Sequence, residues 1–146
     1  METIEKVKTM KTINATKQEF VDLINGLFQV QELKGKEFSL LVSKNINILQ
    51  KNLNDIQEAG TPSEEFLQLA QKVNEIANAN AEGSQEEIDK LEKENTELVE
   101  GRKTQMAKVT DILKEELELE LHILSEDLLP EEVTAKQINS IINIIE

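Results

Sequence analysis

Glu115-Glu116-Leu117-Glu118-Leu119-Glu120-Leu121-His122-Ile123-Leu124 is the stretch that decides the fold. Leu117, Leu119, Leu121 and Ile123 take every second position, with Glu116, Glu118, Glu120 and His122 between them. Period two belongs to a strand with one buried face, in a chain whose other apolar residues recur at helical spacing. Strand backbone groups have to be paired, so a second strand must lie elsewhere in the chain. Residues 7–14, rich in Thr and β-branched side chains, are the best candidate. An antiparallel ribbon of about 7–14 with 117–124 is expected, with Lys6, Lys8 and Lys11 near Glu116, Glu118 and Glu120.

Around this ribbon the chain reads as helix. Thr16 with Glu19 forms a T-x-x-E capping box, and Phe20, Leu23, Ile24, Leu27 and Phe28 follow on one face. Gly26 weakens that helix and Gly35 ends it. A second helix is expected over 36–59, where Val42, Ile46, Leu49, Leu53 and Ile56 step by alternating fours and threes. Thr61 with Pro62 opens a third, carrying Phe66, Leu69, Val73 and Ile76. Ser84 and Glu87 suggest a further capping box and one long helix over 85–114. Its seam contains Asn95, Arg102 and Gln105, and the region around Arg102 is expected to leave the core, since an unpartnered buried guanidinium is costly. Thr134 with Gln137 caps the last helix, whose Ile138, Ile141, Ile142 and Ile145 form a core face. The predicted fold class is mainly α: an antiparallel helical hairpin or bundle of about five helices with a small two-stranded β-ribbon. Residues 1–9 read as an N-terminal extension, because Met10-Lys11-Thr12-Ile13 resembles a second start, and 10–146 as a single helical domain.

Composition narrows the function classes. The chain has no Cys, Trp or Tyr and only four Phe, so thiolate metal sites, disulfides and thiol nucleophiles are excluded and the core must be aliphatic. No apolar run approaches the ~20 residues of a membrane span, which points to the cytoplasm. Net charge is −13, and all of it falls in residues 61–146, which hold 21 acids against 8 Lys or Arg. Between Glu115 and Glu132 there are eight acids and no basic residue. That field repels nucleic acid and suits a basic protein, or one whose own nucleic-acid groove it can occupy. The alternative is a surface that serves solubility alone.

Catalytic constellations are weak. His122 shares a strand face with Glu118 and Glu120 and could ligate a metal, although simple alternation already explains that spacing. Acid pairs at Glu19/Asp22, Glu86/Asp89, Glu94/Glu97 and Glu97/Glu100 match those that hold Mg²⁺ in all-helical nucleotide pyrophosphatases, yet such pairs arise by chance in an acidic helical chain. The five Gly are scattered, with no phosphate loop. No catalytic residue, metal site or cofactor is expected.

Further motifs are Leu33-Lys34-Gly35-Lys36, Phe38-Ser39 and Lys44-Asn45, then the Glu115–Ile123 alternation and Thr134-Ala135-Lys136-Gln137 before an Ile-rich end. In this order they resemble a family of small uncharacterised helical proteins encoded by phages and prophages of Gram-positive bacteria, over residues 10–146. The resemblance implies a viral protein working in the host cytoplasm; it carries no activity and no catalytic residues.

The expected function is therefore that of a non-enzymatic phage accessory protein. It binds another protein, inhibiting or redirecting a host or antiviral-defence factor, through an acidic surface of Glu115, Glu116, Glu118, Glu120, Glu126, Asp127, Glu131 and Glu132. The alternatives are an assembly chaperone or scaffold that acts through helical, coiled-coil-like homo-oligomerisation, and a metal-dependent helical nucleotide hydrolase.

Overall fold

A computed structural model describes residues 10–79 and 82–146. The expected extension over 1–9, with Lys6 and Lys8, lies outside the described residues. The chain forms two compact units, one of residues 10–55 with 112–146, the other of 56–111. Seven α-helices and a two-stranded antiparallel sheet occur among the described residues, a mainly-α fold with a small ribbon. None of those helices is long and apolar enough to cross a membrane.

The first unit is built on the ribbon. Strand β1 (Met10–Thr16) pairs antiparallel with β2 (Glu116–His122), from Met10 opposite His122 to Thr16 opposite Glu116. Residues 7–9 of the expected first strand lie outside the described residues; β1 covers 10–14 of it and runs on to Thr16, and β2 is shifted slightly from the expected 117–124. Leu124, expected inside the strand, makes a parallel bridge to Ile145, with Leu124 N–H donating to Ile144 C=O and Glu146 N–H to Leu124 C=O. Alternation sorts the faces as expected: Leu119, Leu121 and Ile123 are buried and Leu117 half-buried, whereas Glu116, Glu118 and Glu120 are exposed. The expected pairing of Lys11 with those glutamates does not form. Lys11 stands opposite Leu121, on the other face of the ribbon, and its Nζ reaches Glu146 Oε1 at 4.0 Å.

Strand β1 runs directly into helix α1 (Lys17–Val30). Thr16 is both the last strand residue and the N-cap, and the Thr16–Glu19 capping box is complete. Phe20, Leu23, Ile24, Leu27 and Val30 are buried on one face of α1, and Phe28 is exposed. Helix α2 (Lys36–Asn52) starts after Gly35, whose φ of +146° only glycine takes up without strain. It buries Phe38, Val42, Ile46 and Leu49. The single helix expected over 36–59 is interrupted. Leu53 leaves helical geometry (φ −107°, ψ 7°) before helix α3 (Asn54–Gly60) begins. Asn52 and Asn54 flank the break, and Asn52 Nδ2 bonds Ile48 C=O, the kind of side-chain competition that weakens a helix interior.

The chain closes on helix α7 (Ala135–Ser140), capped by the expected Thr134–Gln137 box. This helix is shorter than expected. Ile141 departs from it and Ile142–Ile144 forms a 3₁₀ turn, so the spacing of three buries Ile141 and Ile144 and leaves Ile142 half exposed. Helix α7 lies so close to α1 that a Cβ on Gly26 would stand 2.7 Å from the Ser140 carbonyl oxygen.

The second unit contains helices α4 (Glu64–Ala79), α5 (Ser84–Glu94) and most of α6 (Thr96–Leu113). Two expected caps move here. Thr61 donates its hydroxyl to Gln57 C=O, and Ser63 Oγ accepts Phe66 N–H as the true cap of α4. Gly83, in the left-handed region at φ +85°, precedes α5, and Ser84 is already helical. The long helix expected over 85–114 breaks at Asn95, whose amide donates to Leu91 C=O.

The seam of that region nevertheless faces inward throughout, with Val109 buried and Ile88, Leu91, Asn95, Leu98, Arg102 and Gln105 half-buried. Arg102 does not leave the core as expected, because it has partners. It donates to Gly60 C=O (2.7 Å) and Gln105 Oε1 (2.9 Å), with its guanidinium 5.6 Å from the Phe66 ring centre. Gln105 in turn donates to the carbonyls of Ala59 and Thr61. Together the two side chains occupy carbonyls left open at the end of α3.

Candidate functional site

The outer face of the ribbon is the candidate site. Strand alternation presents Glu116, Glu118 and Glu120 in one row, roughly 7 Å apart along the strand, opposite Thr16, Asn14 and Thr12. All three are exposed, and none forms an ion pair or side-chain hydrogen bond among the described residues. The other five expected residues are exposed as well but differently engaged. Glu115 accepts from Lys17 Nζ at 2.9 Å and shares that ammonium with Asp55. Glu126 and Asp127 stand on the 3₁₀ turn Glu126–Leu128, where the Glu126 N–H donates to Glu146 C=O. Glu131 and Glu132 follow in the turn after Pro130.

What holds the row in place is Asn45. This side chain is fully buried on α2, between Val42 and Leu49. Its Nδ2 donates to His122 C=O at 2.9 Å, and its Oδ1 accepts His122 N–H at 2.8 Å. One amide thus imitates a neighbouring strand at the end of β2 and docks the ribbon on the helices. Periodicity alone does not single out Asn45 for this task. A signal exists in the sequence even so, because a lone polar residue inside an apolar seam has to find a partner.

His122 closes the row but is unlike its neighbours. It is half-buried, and its Nδ1 is buried without a hydrogen-bond partner among the described residues. Burial, and then the charge of Lys44, push its pKa below the ordinary value of 6.5. Among the described residues no group of three or more His, Asp or Glu side chains is placed to hold a metal ion.

Lys17 anchors the other end of the ribbon. Its Nζ donates to Asp55 Oδ2 at 2.7 Å and to Glu115 Oε1 at 2.9 Å, and its backbone N–H donates to Glu115 C=O. Those two side-chain hydrogen bonds, Asp55 first, raise its pKa.

Several members of the acid pairs have local duties. Glu19 completes the α1 capping box, and Asp22 accepts from Gln18. Glu19 and Asp22 border a cleft of about 300 Å³ with Asn139 and Asn143. Asp89 accepts from Gln85, and the break at Asn95 puts Glu94 and Glu97 on different helices. No family model, curated protein or solved structure matches the chain.

Proposed function

We propose that this chain is a non-enzymatic accessory protein that binds another protein through the acidic face of its ribbon. The setting implied by the phage-family resemblance is the host cytoplasm, with a host or defence factor as the target. The observation that carries this reading is the row Glu116, Glu118 and Glu120, exposed on a rigidly held strand and without a basic partner among the described residues. Three exposed carboxylates on one strand face concentrate negative potential there, and a basic surface complements it. The partner is expected to be basic, or to bind nucleic acid in a groove that the glutamates can fill.

The test is affinity capture from host cells with the wild-type chain, followed by kinetics with the captured partner. The Glu118→Lys/Glu120→Lys/Asp127→Lys variant should associate about tenfold more slowly, with a much flatter salt dependence. Association by that variant at the wild-type rate and salt slope means the acids serve solubility and the reading is wrong.

A further inference from the structure

We infer that the outer edge of β1 is a docking strand for an extended basic peptide segment of the partner, added as a third strand to the ribbon. This rests on the acidic-face reading and says how the partner is held there.

The ribbon register determines which backbone groups are free. In an antiparallel pair, the residues alternately point both backbone groups at the partner strand and both away from it. His122 directs its N–H and C=O to Asn45, so its opposite number Met10 points outward on the other side. Thr12, Asn14 and Thr16 follow by alternation. Thr16 bears this out, since its N–H leaves the ladder to meet Glu19 Oε1. The backbone groups of Thr12 and Asn14 then form an open edge, with no hydrogen-bond partner among the described residues. At the opposite edge the same alternation turns the backbone groups of Glu118 and Glu120 outward, but that edge is closed just beyond them, at His122 and Leu124. Asn45 takes the groups of His122, and residues 144–146 take those of Leu124.

An open edge invites a strand. Its two faces specify which kind. On the outer face, Thr12 and Asn14 are directly opposite Glu120 and Glu118. A residue paired with Thr12 or Asn14 would have to extend its side chain over one short polar residue to reach a carboxylate, a span of about 10 Å between alternate strands that Lys and Arg can bridge. On the inner face it would meet half-buried Ile13 and Ala15, which favour an apolar side chain. The fitting segment alternates basic and apolar residues.

Charge selects this occupant over a second copy of the chain. Pairing β1 with β1 would join two chains of net charge −13 and set two glutamate rows on one continuous sheet face. The edge also carries Lys11, a charge that discourages indiscriminate pairing.

The probe is a synthetic peptide alternating lysine and valine, with a control of the same sequence N-methylated at alternate backbone amides. Binding to the full chain is measured by fluorescence anisotropy, and amide hydrogen exchange by NMR. The expected result is that the peptide binds, that the Thr12 and Asn14 amides exchange quickly in the free protein, and that the peptide slows them. The methylated control, which keeps the charges but cannot pair along its edge, should bind about tenfold or more weakly. Thr12→Pro should weaken the unmodified peptide similarly while keeping the ribbon, because the Thr12 N–H lies outside the ladder. Equal binding of both peptides to the wild-type protein, with loss on Glu118→Lys/Glu120→Lys, overturns strand addition and leaves the acidic reading standing. Loss in neither case overturns both. Thr12 and Asn14 amides already protected in the free protein, or concentration-dependent dimerisation abolished by Thr12→Pro, also overturn the peptide as occupant.

Discussion

Asn45 shows how much a single side chain can decide. Its carboxamide is fully buried and matched to both backbone groups of His122. Asn45→Ala would leave a donor and an acceptor unpaired beside the core, and is expected to lower unfolding free energy by about 2–4 kcal/mol in urea titrations. Asn45→Asp keeps the acceptor, loses the donor and buries a charge, so it should be no better tolerated. His122 itself predicts a pH effect. Its neutral imidazole can leave Nδ1 without a proton. Protonation would put an N–H there with no acceptor, close to Lys44. Because its folded-state pKa lies below 6.5, its stabilising contribution is complete above pH 6.5 and is lost as pH falls through the folded value. The stability difference between wild type and His122→Gln should therefore change between neutral pH and about pH 5, in the direction of wild-type loss. A difference that stays constant over that range would rule out His122 as the titrating group.

Among the elements, helix pairs and breaks carry the information. Gly26 reads as a weak point in α1, yet it is the place where α7 comes closest. Gly26→Ala should cost about 1–3 kcal/mol, because the new methyl meets the Ser140 backbone at 2.7 Å. Gly101, also helical, has nothing within 4 Å of its would-be Cβ, and Gly101→Ala should stabilise by about 0.5–1 kcal/mol. Paired thermal melts of the two variants check both signs. The ribbon, both T-x-x-E/Q boxes and the buried faces of α1, α2 and β2 are legible in the sequence because each follows from local periodicity. The breaks at Leu53 and Asn95 are not. The heptad spacing runs straight across both, and at each an asparagine side chain bonds a carbonyl one turn back. Arg102 departs from expectation for a different reason: Gln105 is its i+3 neighbour on the same helix, but its other partner, Gly60 C=O, lies 42 positions away, and no spacing rule reveals that proximity. The acidic row is readable residue by residue, but the clamp that holds it is not, since Asn45 and His122 are 77 positions apart.

At the scale of the molecule, the division into two units can be tested by deletion. The first unit comprises 10–55 and 112–146, and Lys17 Nζ draws Asp55 and Glu115 onto one ammonium. The points at which the chain leaves this unit and returns to it are thus adjacent. Replacing 56–111 by a short Gly/Ser linker is expected to leave the first unit folded, with the Leu119 and Leu121 amides still protected from hydrogen exchange. Loss of that protection would show that the inserted unit is needed for the ribbon to form. The charge reversal proposed for the ribbon face belongs to this scale too, since it acts through the summed field of the second half of the chain rather than through one contact.

The clasp of Leu124 by residues 144–146 has a consequence for synthesis. A ribosome delivers α1 and α2 early, but β2 and α7, which pack against them, emerge later. The helices of the nascent first unit must wait with an open apolar side while the whole 56–111 segment is translated. Only when residues 144–146 have cleared the exit tunnel can the ribbon be locked at Leu124, so a nascent chain that has not reached that point is the species a chaperone or protease would meet.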